Sequence, residues 1–189
     1  RFHMYDLYTP VVSDCDMKIN FEEAKKNVYN ALEPMGDEYR SILMEGFNNR
    51  WIDVYENKGK TSGAYSAGAK VHPFVLLNHK DTLNCEFTLA HEMGHAFDST
   101  CIVFNSKGEY DPSWIPDEDM QILLERNEKA VKYFEDNFTV FGIYHVDGEQ
   151  TLGENYADLG GIECITSLCK TNEDREKIFE NYATIWCEM

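Results

Sequence analysis

Apolar residues return every three or four positions along most of this chain, the spacing of helices that bury one side, and only one short stretch is apolar without a break. In "NFEEAKKNVYNALEP" the residues Phe21, Ala24, Val28, Ala31 and Leu32 share a face, with Asn20 as a cap and Glu22 and Glu23 in the first turn, which predicts a helix ending near Pro34. A second helix is expected from about Asp37 to Asn48 on the stripe Tyr39, Ile42, Leu43 and Phe47. From Thr82 onward Leu83, Phe87, Ala90, Met93 and Phe97 line a buried side while His91 and His95 share another. Met120, Leu123, Leu124, Val131 and Phe134 mark a long helix after a loop at 105–116, and two more are expected at roughly 152–170 and 173–187, with Asn172 or Asp174 capping the second. The unbroken run Phe74 to Leu77, between Gly- and Ser-rich flanks, reads as a strand, and "FGIYHVDGEQTL" as a small hairpin turning at Asp147–Gly148. The pattern predicts one α+β domain over 1–189, mainly helical: a helical part (1–58), a strand and histidine helix (59–104), and a second helical part (105–189).

Composition narrows the class. With 43% hydrophobic and 13% aromatic residues and only 5 prolines, the 189 residues can bury a core. A formal net charge of -17, from 34 acids against 17 bases, repels polyanions and excludes nucleic acid as a partner. No apolar run reaches membrane-spanning length, so no membrane partner is expected, and six cysteines without a C-x-x-C pair or dense framework read as reduced thiols of a cytoplasmic protein. Oligomeric state is left open by the pattern.

The chemistry concentrates in "TLAHEMGHAF", residues 88–97. Two histidines at i and i+4 on a helix can aim ring nitrogens at one ion, and imidazole suits zinc. Glu92, beside His91, stands where it can take a proton from an activated water and pass it to a leaving amine. A chance H-E-x-x-H is expected only ~0.02 times in a chain of this composition, which makes the motif specific.

A catalytic zinc site needs a third protein ligand. His145 lies beside the expected hairpin turn and reads as a surface residue, and Glu118 and Glu125 sit in a heavily charged helix. In "LGENYADLGG" (152–161), Glu154 and Asp158 are i and i+4 among small residues that permit close helix approach, so one acid can bind the metal while the other orients a histidine. Asp158 is the candidate for holding a histidine's second ring N–H.

These residues carry a double resemblance. Through "YDLYTP", "FEEAKKNV", "GFNNRWIDVYENKGKTSGAYS" and "HPFVLLNHKDTLNCEFTLAHEMGH" the chain resembles oligoendopeptidase F and its thimet-type relatives up to about Ala90. From His91, through "HEMGHAFDS", "NFTVFGIYHVDGEQTLGENYADLGGI" and "NYATIWC", it resembles neprilysin-like peptidases. Both share the glutamate-zincin plan. The resemblance implies a zincin-like catalytic domain with a small sheet whose edge strand flanks the active-site helix, one Zn2+ per chain and peptide substrates. It implies Glu154 as the third ligand, from the family's G-E-N-x-x-D motif, Asp158 as the acid behind a ligand, and Asp98 as a further acid just beyond the histidines. The continuous apolar character of Phe74 to Leu77 by itself favours a buried core strand, but the resemblance favours an edge strand, with Pro73 at a position such a strand tolerates and an extended substrate antiparallel along it on Phe74, Val75, Leu76, Leu77 and Asn78.

Two functions compete. One is a zinc metallopeptidase cutting internal peptide bonds, with Glu92 as general base. The other is a zinc-stabilised peptide-binding module of low activity, since the histidine and arginine that neprilysin-like enzymes use on the oxyanion lie beyond the sequence given. The retained Glu92 favours the first, because a binding module has no use for a base there. His72, His79, Tyr65 and Tyr144 are weighed as electrophilic contacts and read instead as structural or surface residues.

Overall fold

The computed structural model describes residues 17–68, 72–95, 101–105 and 109–185. Asp98 lies outside them. Among the described residues the fold is a mainly helical α+β arrangement with small sheets. In chain order it runs α1 (Phe21–Ala31), α2 (Gly36–Asn48), β1 (Ile52–Asp53), β2 (Tyr65–Ala67), β3 (Phe74–Leu76), α3 (Leu83–Gly94), α4 (Asp117–Asn137), β4 (Thr139–Val140), β5 (Tyr144–His145), α5 (Leu152–Thr166) and α6 (Asn172–Ile185).

Local chemistry accounts for the helix starts. Asn20 caps α1 by accepting the Glu23 N–H at 3.0 Å, and Thr82 caps α3 by accepting the Cys85 N–H at 3.3 Å. At the start of α6 the cap is Thr171 rather than Asn172 or Asp174. Its hydroxyl accepts the Asp174 N–H at 3.1 Å and the Asp174 carboxylate accepts the Thr171 N–H at 3.0 Å, a reciprocal capping pair.

Three expectations are corrected. The strand at 74–77 is not an edge. The sheet order is β1-β3-β2, with β1 parallel and β2 antiparallel to β3, so Val75 and Leu76 have strand partners on both sides and Phe74 pairs with Ala67 of β2. Beyond the strand, Leu77 and His79 still donate to the Asp53 and Val54 carbonyls at 2.8 and 2.9 Å. The unbroken apolar run fits this place: Val75 and Leu77 are buried on one face, and Phe74 and Leu76 are partly covered on the other. A peptide therefore cannot pair along Val75–Leu76. Second, the hairpin is β4–β5, turning at Phe141 and Gly142, both at positive φ, whereas Asp147–Gly148 belongs to the turn leading into α5. Gly148 is required there because a Cβ would meet the Val131 carbonyl oxygen at 2.5 Å. Third, α4 buries none of its residues; Leu124 is exposed, because the helix lies over the outside of α5 rather than in the core.

The core joins α1, α2, β3, α3, α5 and α6 through Val28, Leu43, Leu77, Phe87, Leu89, Cys164, Ile165 and Ile178. Its tightest seam is between α3 and α5. A Cβ on Gly161 would lie 2.5 Å from Phe87 Cε2, and one on Gly94 would lie 3.3 Å from the Ala157 Cα. These small residues bring the two helices together, as the sequence pattern implies. Glu86 sits in this core, fully buried, with one carboxylate oxygen lacking a partner and the Cys164 thiol 4.0 Å from the other. Burial pushes its carboxyl up to about 7; the hydrogen bond to Asn27 opposes this and the charge of Glu23 adds to it. The neighbouring Cys164 thiol is pushed up to about 12 by burial and by Glu86, so it stays neutral.

Two outcomes follow from this packing. Gly161→Ala gains at most about 1 kcal/mol of helix propensity but overpacks a buried ring, which costs roughly 1–3 kcal/mol, so denaturant unfolding should find the variant less stable. Glu86 contributes the other. Its carboxyl is raised in the folded state, so its contribution is fully present below the ordinary carboxylate value and is lost as pH rises through about 7. Glu86→Gln should therefore be increasingly stabilised relative to the parent as pH rises from about 4.5 to about 7 and by a constant amount above that, and pH–stability curves that run parallel between pH 4.5 and 7 would overturn this.

Candidate metal centre

Helix α3 presents His91 and Glu92 in its last turn and His95 as the residue that caps its C-terminal end. The i, i+4 spacing sets the two imidazoles at 87° to one another with Nε2 atoms 3.1 Å apart. Across the tight seam, α5 supplies Glu154 from its first turn and Asp158 from the next. Glu154 Oε2 lies 3.3 Å from His91 Nε2 and 3.7 Å from His95 Nε2. Donor–metal distances of about 2.0–2.2 Å in a tetrahedron require donors about 3.4 Å apart, and the three observed separations bracket that value. Two imidazoles and a carboxylate at this spacing fit zinc in both chemistry and size, and no other group of three such side chains converges in this way among the described residues.

The triangle of donors faces solvent on its Glu154 side: Glu154 is two-thirds exposed while His91 and His95 are largely covered. Behind His91, the Nδ1–H donates to Asp158 Oδ1 at 2.8 Å, which fixes the tautomer and leaves the Nε2 lone pair facing the other two donors. The second Asp158 oxygen accepts the Tyr182 hydroxyl of α6 at 3.2 Å. Burial of His91 disfavours its charged form, but the hydrogen bond and charge of Asp158, with the charges of Glu92 and Glu154, outweigh it and raise the imidazole above its ordinary value. Glu92 is buried on α3, close enough for its charge to act on His91.

Of the residues expected from sequence, the structure brings together His91, Glu92, His95, Glu154 and Asp158. Among the described residues it leaves the others elsewhere. Asn78 ties down the preceding loop by donating to the Thr61 and Gly63 carbonyls at 3.0 and 2.8 Å. His72 stacks on Trp51, His79 is buried against Phe21, His145 meets the Glu135 carbonyl on the exposed hairpin, and Tyr65 and Tyr144 are surface residues. Tyr182 was legible only as one aromatic position of the last helix, since nothing in its local sequence names a partner 24 residues away.

Comparison with known proteins places the chain in a peptidase group. Peptidase family M13 matches residues 64–189 and peptidase family M3 matches residues 2–104, each more than half of the chain. The chain belongs to the M3/M13 group of gluzincin metallopeptidases. It is 55% identical over 98 residues to oligopeptidase PepF of Bacillus subtilis, covering 51% of this chain and 15% of that protein. It is 35% identical over 155 residues to a neutral endopeptidase of Lactobacillus helveticus, covering 79% of this chain and 23% of that protein. A crystal structure of a candidate peptidase from Chlamydophila abortus superposes with a TM-score of 0.51 at 28% identity, over 97% of this chain and 26% of the other, consistent with a zincin-like fold. The chain thus spans 15–23% of the length of these two curated relatives.

Removal of a ligand should cost more than removal of an outer partner. Glu154→Ala is expected to weaken zinc binding by more than ~100-fold in chelator competition, beyond the ~10–100-fold typical of outer partners. Because a proton and a metal compete for His91 Nε2, affinity should also fall as pH drops through the raised His91 value.

Proposed function

We propose that this gluzincin chain carries the catalytic core of a zinc endopeptidase acting on peptides. The observation that carries the proposal is the triangle of His91, His95 and Glu154 donors with a buried glutamate, Glu92, adjacent to it on α3. These three residues would hold one zinc ion per chain. When bound, zinc supplies Lewis-acid polarisation of a scissile carbonyl and acidifies a water in the open position.

The remaining work falls to the chain. Asp158 keeps the proton on His91 Nδ1 and so keeps Nε2 available. Glu92 accepts the proton of the attacking water and returns it to the amine that leaves. Burial of Glu92 removes competing water from its carboxylate and keeps it at a fixed place on the helix.

An extended peptide can bind such a site by adding to an open sheet edge, which β3 does not offer; among the described residues the outer positions belong to β1 and β2. The names of the relatives, oligopeptidase and neutral endopeptidase, agree with peptide substrates cut internally. No helix among the described residues is long and apolar enough to cross a membrane. The acidic composition and sparse cysteines fit action in the cytoplasm.

Glu92→Gln separates catalysis from binding. The amide cannot accept a proton, so turnover of a fluorogenic peptide should fall by about 10²–10⁴-fold while zinc content and thermal stability stay at parental values. Equal turnover by the two proteins would exclude Glu92 as the base and leave a zinc-stabilised binding module as the better reading.

A further inference from the structure

We propose that Tyr182 is a positioning residue of the metal centre, acting through Asp158 on His91; the proposal rests on the metal-centre reading above. A carboxylate held at one oxygen can still rotate about its Cβ–Cγ bond, carrying that oxygen out of line. Asp158 is held at both, by His91 Nδ1–H at 2.8 Å on Oδ1 and by the Tyr182 hydroxyl at 3.2 Å on Oδ2. The two bonds set the carboxylate plane, and that plane sets the rotation of the His91 ring and hence the direction of its Nε2.

The tyrosine is itself fixed. Its ring meets the Phe87 ring edge-on, with centroids 5.3 Å apart and planes at 62°, and Phe87 also lies 6.0 Å from the His91 ring. Phe87 is buried on α3 one turn before His91, and Gly161 of α5 is the residue that makes room for it. One aromatic thus backs both ends of the Tyr182–Asp158–His91 chain, so the hydroxyl cannot drift without moving a packed ring. Three helices, α3, α5 and α6, are tied to one nitrogen by this arrangement.

A tyrosine in a core needs some partner for its hydroxyl, so the contact alone could be mere satisfaction of a polar group. A double-mutant cycle separates the two. Tyr182→Phe keeps the ring against Phe87 and deletes only the oxygen. Zinc affinity by chelator competition is measured for the parent, Tyr182→Phe, Asp158→Ala and the double variant. The positioning role predicts a loss of about three- to tenfold for Tyr182→Phe, a larger loss for Asp158→Ala, and no further loss when Tyr182→Phe is added to Asp158→Ala. Unchanged affinity in Tyr182→Phe, or the same loss with Asp158 absent, would overturn it.

A second readout needs no metal. In the metal-free protein, ¹H–¹⁵N spectra of the imidazoles should show a slowly exchanging His91 Nδ1–H that exchanges faster in Tyr182→Phe; an identical signal in the two proteins overturns the proposal. The metal-centre reading is checked separately by His95→Ala: parental zinc affinity in that variant would refute the centre, and the metal-free spectra would still decide the role of Tyr182.

Discussion

Everything distinctive about this fold depends on how closely α3 and α5 approach. Both helices carry ligands, yet neither carries a complete set: α3 has two imidazoles, and α5 has the carboxylate and the acid behind it. The donors meet within 3.7 Å because the helices pack closely, the Gly94 backbone against the Ala157 backbone and Gly161 against the Phe87 ring. A single methyl on Gly161 would have to push aside a buried ring that backs His91 and Tyr182. Metal geometry is thereby converted into a packing constraint, and packing constraints are stiff because protein interiors have little free volume.

The same helix carries two buried carboxylic acids in different surroundings. Glu86 faces the apolar core, where one of its oxygens has no partner and burial drives it toward the neutral acid at physiological pH. Glu92 lies six residues on, in the last turn of the helix beside His91. An unpaired buried charge at Glu86 would be costly, and keeping it protonated is the cheaper state. Between them Phe87, Leu89 and Ala90 form the apolar floor on which the metal site is built.

What could be read from the sequence was whatever repeats locally. His91, Glu92 and His95 follow from helical spacing alone, and the Glu154–Asp158 pair from the same spacing plus the small residues around it. The starts of α1 and α3 follow from Asn20 and Thr82. What could not be read was non-local pairing. Whether Phe74–Leu76 lies at an edge depends on β2, seven residues before it and joined by a reversing connection, and on β1 further back; neither has a pattern of its own at two and three residues in length. Burial of α4 failed for the same reason, since an apolar stripe reports that a helix can pack, not how much surface will be there to receive it. Tyr182 is the sharpest case. Its role is a hydrogen bond between two helices, invisible to any window along one.

The two family matches overlap only at residues 64–104, which hold β2, β3 and α3. Glu154, Asp158 and Tyr182 fall in the M13 match alone, and α1, on which the core side of α3 rests, falls in the M3 match alone. Helix α3 must therefore satisfy one kind of neighbour on its core face and another on its ligand face. It does so with different residues: Glu86 meets α1 through Asn27 and Glu23, while Phe87, His91 and Gly94 meet α5. Because a helix separates its faces by geometry, the two sets of demands do not compete. Phe87 is the point where they could, being core residue and support of His91 at once, and it is there that α5 offers a glycine. A joining of two family patterns at the histidine helix is physically coherent so long as that one contact fits.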